Sequence, residues 1–141
     1  MRFKHLDIQD ELIAAHPRLV ALALYADWWA SRNLSKDLLV TDVSRSQAEY
    51  DTIYADKIAE GTFFVGTDGI KHYSGPRPHL ADPLRGVPGH AIDFRTIGEM
   101  GSVEIGRIAD HLNATWPRAD KKPTALYHDV TAAHLHVQAE V

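Results

Sequence analysis

Cysteine is absent from all 141 positions, so no disulfide framework, thiolate metal site or cysteine nucleophile exists, and any metal must sit on His, Asp or Glu. Long apolar runs are missing as well. No segment approaches the roughly 20 apolar residues of a membrane span. The opening Met1-Arg2-Phe3-Lys4-His5-Leu6-Asp7 has no apolar core of the length a secretory signal requires. The expectation is a soluble protein made in the cytoplasm without a signal peptide. Positive charge is not in excess either: 15 Lys and Arg against 19 Asp and Glu leave a formal net charge of -4, which gives no electrostatic footprint for nucleic acid.

What is present is enough for one domain spanning residues 1–141, a length that buries roughly two-thirds of the surface exposed by the unfolded chain. Nine histidines are many for this length, although most histidines are ordinary surface or packing residues. Two of them stand apart. In His134-Leu135-His136-Val137-Gln138 the histidines alternate with apolar residues, and side chains two apart in a strand share a face. Upstream, Ala91-Ile92-Asp93-Phe94 places a carboxylate where a sheet would normally bury another hydrophobe. An unpaired buried carboxylate is costly, so a cation, or a salt bridge to Arg95 or Arg85, is expected to compensate it.

The pattern along the chain is α+β: a small antiparallel sheet carrying these residues, packed against helices. A short helix is expected from Ile8 to about Ala15, capped by Asp7. A second, opened by Pro17, runs to about Arg32 with Leu19, Leu22, Ala23, Ala26, Trp29 and Ala30 at helical spacing. Leu38 to Val43 reads as a buried strand, and Ser46 to about Glu60 as one helix with a capping box completed by Glu49 and a stop at Gly61. Residues 66 to 89 hold five glycines and four prolines, the composition of a long functional loop with one short hairpin. The strand of Asp93 follows, then a helix from about Ser102 to Ala114 and paired strands at Thr124–Tyr127 and Leu135–Ala139. Trp28-Trp29 and Trp116 read as core residues, and His5, His16 and His111 as unremarkable.

The order of these parts resembles the LAS metallopeptidases: D-Ala-D-Ala carboxypeptidases, L-alanyl-D-glutamate endopeptidases and the related hedgehog domain. The likeness is strongest to short phage and prophage members. It rests on Thr41-Asp42-Val43-Ser44-Arg45 leading into a helix, on Ala91-Ile92-Asp93, and on the terminal His134-Leu135-His136, over residues 38 to 138. The resemblance implies a hydrolase dependent on zinc that cuts peptidoglycan stem peptides, as an endolysin or virion-associated enzyme of phage origin reaching the cell wall by phage-assisted release. Asp93 and His136 match zinc ligands of the family, His134 the residue that acts beside the metal, and Arg45 an arginine that holds a substrate carbonyl or carboxylate. Gln47 is a weaker member of the same cradle.

One ligand departs from the pattern. The family keeps a His seven positions before the Asp, and that position here is Gly86. His79, displaced by an insertion around Pro83–Pro88, is taken as the third ligand, with His90 and His72 as alternatives. His90, three residues from Asp93, falls on the opposite face of an extended strand. His128 or Asp129 is placed behind a ligand imidazole to orient it. The other functional expectations are a catalytically silent binding or structural module of the same fold, and an unrelated α+β domain with loosely metal-binding histidines.

Overall fold

A computed structural model describes residues 1–80, 89–129 and 132–140. The Pro83–Pro88 stretch, with Arg85 and Gly86, lies outside the described residues. The described elements are five helices and seven strands in an α+β arrangement. In chain order they are β1 (Arg2–Phe3), α1 (Leu6–Ala14), α2 (Pro17–Leu34), β2 (Leu39–Asp42), α3 (Gln47–Ile53) and α4 (Ala55–Ala59). There follow β3 (Phe63–Val65), β4 (Lys71–Tyr73), β5 (Ala91–Arg95), α5 (Ser102–Thr115), β6 (Ala125–His128) and β7 (His134–Gln138). None of the helices among the described residues is long and apolar enough to cross a membrane.

The main sheet has the order β1-β2-β5-β7-β6, and β3 and β4 form a separate antiparallel pair. An all-antiparallel sheet was the expectation, but β1 runs parallel to β2, so the sheet is mixed. Two residues are too few to show a period; this strand is held by its ladder, with Arg2 N–H donating to Leu38 O at 2.7 Å and Lys4 N–H to Val40 O at 2.9 Å.

Register sorts the sheet into a core face and an open face. Across β5 and β7, Ile92 pairs with Val137 and Phe94 with Leu135, and all four are fully buried. They join Leu19, Leu22 and Ala26 of α2 and Ile105, Ile108 and Leu112 of α5 in the main hydrophobic cluster, so both helices cover this face. The alternate residues, Asp93 opposite His136 and Arg95 opposite His134, point the other way. A bulge between Val40 and Asp42 breaks the alternation of β2: Val40 pairs with Phe94 on the core face, yet Asp42 pairs with Asp93. Bulges re-aim side chains in this way, and here one brings Asp42 to the side of Asp93.

The helical expectations hold in type and shift at their ends. His5, not Asp7, occupies the N-cap position of α1 and makes no side-chain cap. Pro17 opens α2, which extends to Leu34, and the His16 ring accepts a hydrogen bond from Arg18 N–H as its cap. The capping box of Ser46 and Glu49 is present. The helix expected to run unbroken to Glu60 divides at Tyr54, whose φ of -110° and ψ of 31° interrupt it. That break sets the Tyr54 ring 4.4 Å from Tyr73 on the β3–β4 hairpin. The hairpin starts at Phe63, earlier than the glycine-rich loop that suggested it. Trp29 and Trp116 pack against the core, while Trp28 is exposed. His111 stacks on Trp29 at 4.4 Å, its Nε2 lying 2.8 Å from the Tyr25 hydroxyl.

Candidate metal centre

The open face of the sheet is the floor of a cleft of about 660 Å³, the size range of small-ligand sites. Asp93 lies at its centre, on the strand flanked by both β2 and β7, and is 5 % exposed. Its two carboxylate oxygens face different groups. Oδ1 is 2.9 Å from His136 Nδ1 and 3.4 Å from His79 Nε2. Oδ2 is 3.8 Å from an Arg45 terminal nitrogen and 3.7 Å from His134 Nε2.

Burial alone would raise the Asp93 pKa, but hydrogen bonding and charge from His136 and His79 outweigh it and hold the group well below the usual carboxylate range. It is therefore anionic at neutral pH. The buried negative charge that the sequence suggested is real, and its partners are imidazoles and Arg45. Arg95, one alternative partner, is exposed and donates to Ile97 O instead.

His79 reaches this point from the loop after the hairpin and is fixed by three bonds. Its N–H donates to the Tyr50 hydroxyl at 2.9 Å, its carbonyl accepts from Arg45 N–H at 3.0 Å, and its Nδ1 lies 3.2 Å from Val43 O. A backbone carbonyl only accepts, so Nδ1 carries a proton, and Nε2 faces Asp93 either protonated, as a donor, or with its lone pair on a cation. Two acceptors facing each other at 3.4 Å repel unless a cation or proton lies between them. Tyr50, which takes the His79 amide, has its own phenol pushed up to about 12, chiefly by burial, and so remains a neutral hydroxyl.

The donor set fits a metal. Ligand atoms of His79, Asp93 and His136 lie within 4.8 Å of one another. Ligands about 2.0 Å from a tetrahedral ion stand roughly 3.3 Å apart, close to the two spacings measured around Oδ1. His79 has the second anchor that orients ligand histidines, through Val43 O, whereas His136 Nε2 lies 3.5 Å from Gln138 Oε1, at the outer limit of a hydrogen bond.

The alternatives for the third ligand are placed elsewhere. His90 lies outside the cleft lining, its buried Nδ1 without a hydrogen-bond partner among the described residues and its pKa lowered by burial and by the charge of Arg118. His72 is held between Asp51 Oδ2 at 2.6 Å and Asp68 Oδ2 at 2.9 Å, away from Asp93.

Arg45 and His134 line the cleft beside the ligand set. Arg45 pairs with Asp42 and lies over the Tyr50 ring at 5.2 Å. Burial disfavours its charge, yet the carboxylates of Asp42 and Asp93 together raise its pKa, so it stays cationic. His134 Nδ1 is 2.8 Å from Ala132 O, which leaves Nε2 as the acceptor facing Asp93. Gln47 is not part of the lining. Its amide nitrogen donates to Asp51 at 2.8 Å and Tyr73 O at 3.1 Å, and its oxygen accepts from Arg77 at 2.6 Å, so it ties α3 to β4 rather than facing a substrate. His128 joins the cleft from β6.

Several lining residues carried no sequence signal. Tyr54 and Tyr73, stacked 4.4 Å apart, form an aromatic wall, and Arg118 and Lys122 line the cleft as well. Their positions depend on the break at Tyr54 and on the turn leading into β6, neither of which leaves a periodic trace. Comparisons with protein-family models, curated proteins and solved structures returned no match.

Proposed function

We propose that this chain is a zinc-dependent hydrolase of a peptide bond in peptidoglycan stem peptides, of phage or prophage origin. The observation that carries the reading is the convergence of His79, Asp93 and His136 at the floor of a cleft, with His134 and Arg45 on the remaining oxygen of the same carboxylate. Two imidazoles and one carboxylate are the ligand set of catalytic rather than structural zinc, since they leave a position open. When bound, zinc supplies Lewis acidity that polarises a carbonyl and makes a water nucleophile available near neutral pH.

The chain's own groups supply the rest. His134, its ring fixed by the Ala132 carbonyl, takes and returns a proton at Nε2, which amide cleavage requires because the leaving nitrogen must be protonated. Arg45 offers a fixed guanidinium to a peptide carbonyl or carboxylate, an interaction strengthened by its charge. Tyr54 and Tyr73 provide an apolar wall against which a short peptide side chain packs and from which water is displaced. Action at the wall follows release through a phage-made lesion or delivery on a virion.

The test is digestion of purified muropeptides and sacculi by zinc-loaded protein, read by mass spectrometry. A hydrolysis product that appears with zinc and disappears after chelation supports the reading, and the fragment masses identify the bond. A fully loaded protein that binds sacculi without releasing fragments would make the chain a silent binding module instead.

A further inference from the structure

A second group of three histidines stands beside the first site. His128 ends β6 and His134 begins β7, and the two face each other in register with ring centroids 4.9 Å apart. His136, two residues on, shares their face, its ring 5.8 Å from His128. Ligand nitrogens of all three lie within 4.8 Å of one another. Each ring is partly exposed to the cleft, so an ion has a path to them. At least one ring is presented as a ligand: Nδ1 of His134 is occupied by the Ala132 carbonyl, leaving the Nε2 lone pair directed inward.

We propose that His128, His134 and His136 form a second transition-metal site next to the centre built on Asp93, with His136 bridging the two ions through opposite ring nitrogens, Nδ1 on the side of Asp93 and Nε2 for the second ion. An all-imidazole set favours zinc, copper, nickel or cobalt over calcium or magnesium, which take oxygen ligands. The site binds more weakly than its neighbour, because it contains no carboxylate and because His136 already faces Asp93 at 2.9 Å. Its position gives it a consequence that rests on the hydrolase reading. An ion there coordinates His134 at Nε2, the nitrogen assigned to proton transfer, so excess metal switches the centre off while leaving the first ion in place.

The experiment is a cobalt titration of chelator-stripped protein, followed by visible absorption and equilibrium dialysis, on the wild type and on His128→Ala and His128→Gln. His128 ends an edge strand and is only partly buried, so its replacement spares the core. The expected result is two equivalents in the wild type, the second bound about 10- to 100-fold more weakly, and one in both variants. One equivalent in the wild type, or two in both His128 variants, overturns the proposal. No substrate is used, so this outcome is independent of whether any peptide is cut. Where cleavage is found, excess zinc slows the wild type and loses that effect in the His128 variants; equal inhibition of all three would assign it to another site.

Discussion

Asp93 and His136 face each other in register across the β5–β7 ladder, with Oδ1 2.9 Å from Nδ1, and this pair is the axis of the cleft. A carboxylate at that depth is tolerated because imidazoles surround it, and in the proposed metal site the ion would depend on that carboxylate as much as on the imidazoles. Asp93→Asn keeps the shape and removes the charge. We expect it, like His136→Ala, to lower affinity for the first zinc at least about 100-fold, measured as zinc per chain by elemental mass spectrometry after dialysis against a weak chelator. Retention of a full equivalent by Asp93→Asn combined with His128→Ala, which empties the second site, would remove Asp93 from the ligand set. His79→Ala should behave as the other two, and His90→Ala as the wild type.

His134 is expected to separate binding from chemistry. It approaches the other oxygen of Asp93, at 3.7 Å, and lies outside the ligand set proposed for the first ion. His134→Gln should therefore keep one tight zinc and lower kcat by about 10²- to 10⁴-fold with little change in KM, the range for losing a positioned proton-transfer group. A loss of zinc in step with activity would instead make His134 a ligand of the first site.

The legible part of the molecule was the part that depends on local period. His134, Leu135, His136 and Val137 alternate in sequence and in space, and Asp93 breaks an apolar run at the position where the sheet turns a side chain outward. The capping box of Ser46 and Glu49 is local as well. His79 was suggested only by the resemblance, because loop position is set by tertiary bonds to Tyr50, Val43 and Arg45. Nothing local marks β1, the bulge that turns Asp42 toward Asp93, or the break at Tyr54. The bonds of Gln47 were hidden for the same reason: its amide is committed to groups 26 and 30 residues away.

The β3–β4 hairpin is fastened to α3 by a charge device with a definite pH response. Hydrogen bonds to Asp51 and then Asp68 raise the pKa of His72 above its ordinary 6.5. The stabilisation is thus fully present below about 6.5 and is lost as pH rises through the raised folded value. Asp51 has the opposite sign. Burial raises its pKa, but bonds from His72, Tyr73 N–H and Gln47 bring it below 3.8, so its contribution is lost as pH falls through that lowered value. Hydrogen-exchange protection at the Tyr73 amide, which donates to Asp51 at 2.7 Å, should therefore be greatest in mildly acid solution and decline through the alkaline side. His72→Gln should abolish the alkaline decline. A protection factor for Tyr73 that is flat from about pH 6 to pH 9 in the wild type would rule the device out.

Phe94 tests whether the core face can be weakened without touching the ligands. It is fully buried, opposite Leu135 and one residue from Asp93, on the other side of the strand. Phe94→Ala is expected to cost about 3 to 5 kcal/mol in urea unfolding. At temperatures where it is folded it should still bind zinc with near wild-type affinity. If affinity collapsed while the protein was demonstrably folded, the two faces of β5 would not be independent.

Arg45 distinguishes substrate recognition from simple charge balance. The register shift in β2 sets Asp42 beside Asp93, and Arg45 bridges the two, bonded to Asp42 and 3.8 Å from Asp93 Oδ2. As a counter-ion alone, its removal would leave two neighbouring carboxylates and lower Tm, with KM unchanged. As a substrate anchor, Arg45→Gln should raise KM about 10- to 100-fold, the equivalent of one charge-assisted hydrogen bond of roughly 1.5–3 kcal/mol, while one zinc stays bound. Asp42→Asn supplies the control, since it removes the structural partner and leaves the guanidinium in the cleft. The anchor role requires a KM that rises in Arg45→Gln and not in Asp42→Asn, with both variants losing comparable stability. Equal KM values in the two would reduce Arg45 to the residue that reconciles Asp42 with Asp93.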